Sequence, residues 1–164
     1  MVSKNNDEYQ RSYVSALRLL GLCDRSKKEL KDRLSRKGYS PEVVETVIGK
    51  LESYDYINDE RYALKFATDA VKIKNSGPEA VRAGLYRKGI DRRIIEKAVI
   101  GVFKDYDEKE VAMRAMKKKL KNINQKSEIR KDDVKRLSDH LRRKGFSYDI
   151  IRETLRETGK EDET

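Results

Sequence analysis

One six-residue segment occurs three times in this chain of 164 residues and constrains the fold more than any other feature. It reads LSRKGY at 34–39, LYRKGI at 85–90 and LRRKGF at 141–146. Successive glycines of this motif are 51 and then 56 residues apart. A period of this length is typical of tandem structural repeats, so we expect function on a surface that similar units build together.

The residues around each copy predict a helix that ends at the glycine. Apolar residues stand eight and four positions before it in every copy, at Leu30 and Leu34, Val81 and Leu85, and Leu137 and Leu141. Twelve positions before it stand residues that favour helix N-caps, namely Ser26, Gly77 and Asp133. The left-handed conformation that closes a helix is open to each glycine: Gly38, Gly89 and Gly145.

A second helix follows each copy, and a further helix precedes it. The following helices begin at caps two residues after the glycine: Ser40, Asp91 and Ser147. Both flanking segments have apolar residues at helical spacing, which predicts an all-α fold of three tandem three-helix repeat units in an elongated array. The expected segments are a flexible N-terminal tail at 1–12, repeats at 13–57, 58–106 and 107–158, and a flexible C-terminal tail at 159–164.

Composition is compatible with a folded chain that has small cores. Charged residues make up 41% of the chain and hydrophobic residues 37%, so we expect each unit to pack against its neighbour. Helical spacing is lost over 122–132, which we interpret as a loop. No signal peptide or membrane-spanning run is evident, and we expect a cytoplasmic protein. The single cysteine, Cys23, adjoins an apolar helix, and we expect it to be buried and inert.

Residues that commonly carry catalysis are scarce. His140 is the only histidine, which argues against a histidine-rich metal site and against a Cys–His pair. Acidic residues cluster at Asp59-Glu60 and over 105–108, where helices should begin and where carboxylates complement the helix dipole. We therefore predict that the chain is not an enzyme and needs no metal or cofactor.

The charge balance favours an anionic partner. Lys and Arg number 39 against 29 Asp and Glu, a net charge of +10. The candidate partner-binding or DNA-binding residues lie in basic clusters: Arg36, Lys37, Arg87, Lys88, Arg92, Arg93, Arg142, Arg143 and Lys144, with a second candidate cluster at Lys117, Lys118, Lys119 and Lys121. Cations in the last turn of a helix also stabilise its dipole, so a structural role explains any one cluster equally well. Equivalent positions in a stacked array would form a basic stripe, which favours binding to nucleic acid, an acidic protein surface or a filament containing both.

Four short motifs follow one another in a specific order. RSKKEL at 25–30 precedes the first basic motif, and YINDERYA at 56–63 joins the first unit to the second. Gly77-Pro78 leads to RKGI at 87–90, and LRRKGF at 141–146 precedes Ile150-Ile151. Over residues 13–158 this order resembles the RecX family of bacterial recombination regulators. Asn58 stands where that family more often has an acid, and Asn is an equally good helix cap.

The resemblance implies a non-enzymatic regulator of the RecA recombinase in DNA repair, homologous recombination and the SOS response. Members of that family bind RecA filaments on single-stranded DNA and usually suppress strand exchange, ATP hydrolysis and coprotease activity. An elongated monomer with a cationic face is suited to lie along the filament groove, where several weak contacts reinforce one another. On this interpretation the basic clusters contact the filament and also give weak nonspecific binding to DNA.

Two other functions fit the sequence. Two helices joined by a short glycine-containing turn also resemble a helix-turn-helix, with 40–51 or the equivalent helix of another unit as recognition helix. Such a chain would be a direct or architectural DNA-binding protein. Apolar residues occupy those helices, and only Arg92-Arg93 suits base reading. An adaptor for an acidic protein would show no affinity for DNA. Binding to naked DNA at varied salt distinguishes these functions.

Overall fold

A computed structural model describes residues 2–123 and 131–161, with side chains over 6–121 and 133–157. These described residues form nine α-helices and no β-strand, which confirms the all-α prediction. The helices are, in chain order, α1 (Val2–Leu22), α2 (Lys27–Arg36), α3 (Pro41–Ser53), α4 (Asp59–Lys72), α5 (Pro78–Arg87), α6 (Arg92–Asp105), α7 (Glu108–Ile123), α8 (Lys131–Arg143) and α9 (Tyr148–Glu161).

The main helix–helix packing lies within three groups of consecutive helices, α1–α3, α4–α6 and α7–α9. We refer to these groups as the first, second and third units. One hydrophobic cluster lies inside the first unit, where Leu30, Leu34 and Val47 are fully buried. The second and third units share another cluster, to which Leu85 and Leu141 both belong. The first unit therefore has a core of its own, and hydrogen bonds of Ser26 and Glu29 with Lys88 join it to the second unit.

Each repeated motif ends a helix as predicted. Gly38, Gly89 and Gly145 have φ angles of +87°, +73° and +84°. Backbone N–H groups beyond the helix donate to carbonyls of its last turn in all three copies, as Tyr39 does to Leu34 in the first. Glycine suits these positions because a Cβ is strained at positive φ.

The predicted N-caps are confirmed at Ser26 and Gly77 and wrong at Asp133. Ser26 forms a capping box with Glu29, and Gly77 precedes the proline that begins α5. Helix α8 begins at Lys131, so Asp133 lies in its first turn. A carboxylate stabilises the first turn of a helix as well as the cap, which is why the sequence pattern misplaced this start.

The expected N-terminal tail at 1–12 is helical from Val2 onward. Tyr9 and Tyr13 pack against the core of the first unit, and Ser12 is fully buried. The polar composition of this segment conceals one packed helix face that also includes Ala16.

The C-terminal expectations are corrected in part. Helix α9 continues to Glu161, so the first residues of the expected tail at 159–164 are helical. Helix α7 reaches Ile123 and α8 begins at Lys131, which narrows the loop expected at 122–132. Residues 124–130 and 162–164 lie outside the described residues.

No single core gathers all the described helices. The first unit has its own hydrophobic cluster, and the second and third units share another. Among the described residues, no helix combines the length and the apolar character that a membrane span requires.

Candidate functional site

The middle helices of the three units, α2, α5 and α8, meet head to tail. At the first joint, the C-terminus of α5 contacts the N-terminus of α2. The hydroxyl of Ser26 donates to the carbonyl oxygen of Lys88 across 2.6 Å, and Nζ of Lys88 donates to Oε1 of Glu29 across 2.5 Å. The negative end of one helix dipole thus faces the positive end of the other, which stabilises the joint.

Two further side chains, those of Asp59 and Tyr62, strengthen the first joint. Oδ1 of Asp59 accepts a hydrogen bond from the backbone N–H of Lys27 across 2.9 Å, and the Tyr62 hydroxyl donates to Oε2 of Glu29 across 3.2 Å. Burial would raise the pKa of Glu29, but hydrogen bonds from Lys88 and Ser26 and the charge of Lys88 hold it below its ordinary value. Glu29 is therefore an ionised partner of Lys88.

The second joint, between α8 and α5, repeats this arrangement. The backbone N–H of Gly77 donates to the carbonyl oxygen of Lys144 across 2.7 Å, and that of Glu79 donates to the carbonyl of Gly145 across 3.1 Å. Nζ of Lys144 donates to the carbonyl of Lys74 across 2.5 Å. A Cβ on Gly77 would lie 2.5 Å from the carbonyl oxygen of Gly145, so this approach requires glycine.

The joints set the spacing of the repeated basic motifs. Eleven residues separate the N-cap Ser26 from Lys37, and the same number separates Gly77 from Lys88. At 1.5 Å per residue, successive motifs stand about 16 Å apart along the row of middle helices. Lys88 and Lys144 are half-buried in the joints, which corrects the expectation that all three motifs present their lysines on one open stripe.

The remaining motif residues are differently placed. Arg36 and Lys37 are exposed at the open C-terminal end of α2, and Arg87 is exposed beside the first joint. Arg92 and Arg93 are exposed in the first turn of α6, where the helix dipole does not favour cations. A structural role at the dipole therefore does not explain this pair, and it stays a candidate contact.

Among the described residues, a group of cations without carboxylate partners lies at the second joint. Burial lowers the pKa of Lys144, and the charges of Lys118 and Lys74 lower it further. Burial also lowers the pKa of His140, as do the charges of Lys144, Lys119 and Arg143. We call this group the basic patch, and its members are Lys74, Lys118, Lys119, His140, Arg143 and Lys144.

The basic patch has no compensating acid among the described residues. Asp139, which precedes His140 in α8, pairs with Arg142 at 3.1 Å, and no member of the patch forms an ion pair with a described carboxylate. Like charges held together without counter-charges create a positive potential that attracts anions. The arrangement is therefore suited to bind a polyanion such as a nucleic-acid backbone.

The structure joins two clusters that sequence reasoning kept apart. The charge of Lys118 on α7 acts on Lys144, and those of Lys119 and Arg143 act on His140, so these cations lie near one another. Arg36 and Lys37 lie one helix length beyond the first joint. Lys117 and Lys121 are also exposed on α7. Sequence reasoning missed two members of the patch, Lys74 and His140. No local pattern pointed to Lys74, because its place in the patch depends on the contact between the second and third units.

The acidic clusters lie at helix starts as expected, except for Asp105, which is the last residue of α6, where a carboxylate does not complement the helix dipole. Asp59 and Glu60 lie in the first turn of α4, and Oδ1 of Asp107 accepts from the backbone N–H of Glu110 at the start of α7. Within the described ranges, no group of three or more His, Cys, Asp or Glu is placed to hold a metal ion.

Cys23 is exposed, which corrects the expectation of a buried thiol. Helix α1 ends at Leu22, whose side chain is 78% exposed, so the chain has already left the core when it reaches this cysteine. The apolar spacing of α1 predicted a helix that includes Cys23 and therefore a buried thiol, whereas the helix ends one residue earlier.

Known proteins are similar to this chain in both sequence and fold. Family models of the first and second three-helix domains of RecX match residues 13–51 and 58–99. A protein of Clostridioides difficile named regulatory protein RecX is 36% identical over 92% of this chain and 69% of its own length. One of Clostridium botulinum with the same name is 32% identical over 95% of this chain and 72% of its own length.

A solved structure supports the same relationship. The crystal structure of RecX from Lactobacillus salivarius has a TM-score of 0.78 with this chain at 29% sequence identity, over 93% of this chain and 97% of that one. Two matched domains, similar relatives and a shared helical architecture agree. This chain is a member of the RecX family of regulatory proteins.

Proposed function

We propose that this chain regulates the RecA recombinase by binding along RecA filaments on single-stranded DNA. The basic patch at the second joint carries the proposal. It gathers five Lys and Arg residues and one histidine around a joint, and its members have no carboxylate partner among the described side chains. Such a surface gains electrostatic energy when an anionic chain neutralises it.

The row of middle helices supports a filament rather than a small ligand as partner. Motifs that stand about 16 Å apart present cations at regular intervals, and a filament presents repeated binding surfaces. The exposed arginines Arg36, Arg87 and Arg143 then act together with the basic patch, because linked weak contacts reinforce one another. A chain lying in the groove would exclude a second DNA strand and hold the filament in one state, so that strand exchange, ATP hydrolysis and coprotease activity fall.

A charge reversal tests this function. Lys118 is exposed within the basic patch, and Lys104 is an exposed lysine of α6 outside it, which makes Lys104→Glu a matched control for Lys118→Glu. We expect Lys118→Glu to weaken inhibition of the DNA-dependent ATPase of RecA about tenfold, equivalent to about 1.4 kcal/mol, and Lys104→Glu to leave it unchanged. Equal inhibition by wild type and both variants would contradict the proposed role of the patch.

Naked DNA separates the proposed function from direct DNA binding. We expect weak, sequence-independent binding that falls steeply with salt, since it depends on phosphate contacts. Tight and sequence-selective binding in the absence of RecA would instead identify a direct DNA-binding protein. The buried positions Val43, Val44 and Val47 of α3 leave few side chains free to read bases, which is why we expect the first result.

A further inference from the structure

The open C-terminal end of α2 has the same backbone as the helix ends that dock inside the molecule. Lys37 has φ −80° and ψ −2°, and Lys88 has φ −80° and ψ −1°. The glycines that follow them are both left-handed, and the same backbone hydrogen bonds close both helices. The two ends are therefore equivalent elements.

The two helix ends differ only in whether the N-terminus of another helix covers them. A Cβ on Gly89 would lie 2.7 Å from the Cβ of Lys28, and one on Gly145 would lie 2.7 Å from the Cβ of Ala80, because the N-terminus of the preceding middle helix covers each end. Around Gly38, no described atom lies within 4 Å of the same point. The first unit thus presents an uncovered copy of the surface that forms both joints.

The open end is flanked by two shallow cavities of about 440 and 460 Å³ that share Arg11, Lys37 and Tyr39 in their walls. Arg18 lines the first, and neither it nor Lys37 has an ion-pair partner among the described side chains. The surface around Lys37 therefore carries unpaired positive charge.

The acids beside the open end are already engaged. Asp7 pairs with Arg11 at 3.4 Å, and Oε1 of Glu8 accepts from the backbone N–H of Ser40 across 2.6 Å. Lys37 has no carboxylate partner among the described side chains, so an occupant that brings its own carboxylate complements its charge.

We propose that the open end of α2 is a docking site for the N-terminus of a helix in another protein, one with a serine cap and a glutamate in its first turn. The first joint defines these features. There, the hydroxyl of Ser26 donates to the carbonyl of Lys88, and the carboxylate of Glu29 accepts from its amino group. An incoming serine would donate to the carbonyl of Lys37, and an incoming glutamate would pair with its Nζ atom.

A second copy of this chain does not offer such a helix at α2 or α5. The N-terminus of α2 is covered by α5, and that of α5 is covered by α8. The two helix starts that dock in this way are thus occupied within the molecule, and we assign the open end to a helix start of a different protein. This proposal goes beyond filament binding through the basic patch, and its test does not depend on RecA.

The test is a titration of the isotope-labelled full chain, followed by the backbone amide signals of Lys37, Gly38 and Tyr39. The probe is an acetylated alanine-rich helical peptide of about 16 residues that begins Ser-Pro-Glu-Glu, and the control peptide begins Ala-Pro-Gln-Gln. We expect saturable shifts at these amides with the first peptide at about millimolar concentration and none with the control. Lys37→Glu should weaken the binding about fivefold or more, whereas Lys104→Glu should leave it unchanged.

Three results would overturn the proposal. Shifts that are absent from residues 36–39, or equal with both peptides, would show that the open end does not recognise a capped helix start. An affinity that Lys37→Glu leaves unaltered would remove the assigned ion pair. The third result would come from sedimentation of the chain alone. A dimer that dissociates in Lys37→Glu would show that a second copy occupies the site.

Discussion

Nζ of Lys88 lies 2.5 Å from Oε1 of Glu29, although 59 residues separate them in the chain. Their ion pair ties the C-terminus of α5 to the first turn of α2, beside the fully buried Ser26. Glu29 therefore completes a helix capping box and also holds two units together. One acidic residue thereby links the local structure of the first unit to the arrangement of the repeated motifs.

Replacing Glu29 by Gln tests this link, because Gln keeps an oxygen for the capping box and loses the charge. We expect Glu29→Gln to lower the free energy of unfolding by about 1 kcal/mol at neutral pH. Burial opposes ionisation of Glu29, but hydrogen bonds from Lys88 and Ser26 hold its pKa below the ordinary value of 4.5. A carboxylate whose pKa is lower in the folded state stabilises the fold at pH values above its pKa in the unfolded state. This stabilisation is lost as the pH falls through the pKa of the folded state.

Urea unfolding of both chains between neutral pH and about pH 3 measures this effect. The difference between wild type and Glu29→Gln should shrink as the pH drops below 4.5. A difference that stays constant over that range would show that the charge of Glu29 does not stabilise the joint.

The hydroxyl of Ser26 serves both a helix cap and the first joint. It accepts from the backbone N–H of Glu29 across 3.2 Å while it donates to Lys88. We expect Ser26→Ala to cost about 1 to 2 kcal/mol in the free energy of unfolding. Ser40→Ala is the matched control, since the Ser40 side chain makes no capping hydrogen bond, and its cost should stay below about 0.5 kcal/mol. Similar losses from the two changes, measured by urea unfolding, would refute the dual role.

Gly145 and Gly38 share a left-handed backbone but differ in their surroundings. Alanine at Gly38 meets only the strain of positive φ, about 1 to 2 kcal/mol. Alanine at Gly145 also places its Cβ 2.7 Å from that of Ala80, and we expect a total loss of about 3 kcal/mol or more. Thermal unfolding of the two variants compares these losses directly. Equal destabilisation would mean that the second joint is looser than its contacts indicate.

His140 reports the charge of the basic patch. Burial lowers its pKa, and Lys144, Lys119 and Arg143 lower it further, so neutralising their charges should raise it. We expect the pKa of His140, followed by NMR, to rise in Lys119→Gln and on addition of single-stranded DNA. Lys104→Gln should leave it unchanged. A histidine pKa that does not respond to DNA would place the bound strand away from the patch.

The repeated motifs predicted the individual helices and their ends better than the contacts between units. Leu30, Leu34 and Gly38 determine a helix and its end by contacts within a few residues, so their spacing is readable in the sequence. The contact of Lys88 with Glu29 depends on how two units pack, and no local pattern encodes it. For the same reason the basic residues looked alike in sequence, although the joints half-bury Lys88 and leave Lys37 exposed.

The basic patch shows the same limit. The sequence made candidates of Lys118, Lys119 and Lys144 because each lies in a cluster of basic residues. Their meeting with Lys74 across the second joint follows from the head-to-tail contact of α8 with α5, which places the third unit beside the end of α4. Tertiary packing, rather than residue type, selects which cations act together.

The salt dependence of binding to RecA filaments on single-stranded DNA tests the central claim most directly. Cosedimentation of wild type, Lys118→Ala and Lys104→Ala between about 50 and 200 mM salt gives the slope of log affinity against log salt for each chain. We predict that Lys118→Ala reduces the magnitude of this slope by about 1 and weakens binding, while Lys104→Ala matches wild type. Identical slopes and affinities for all three chains would contradict the claim that the basic patch contacts the filament.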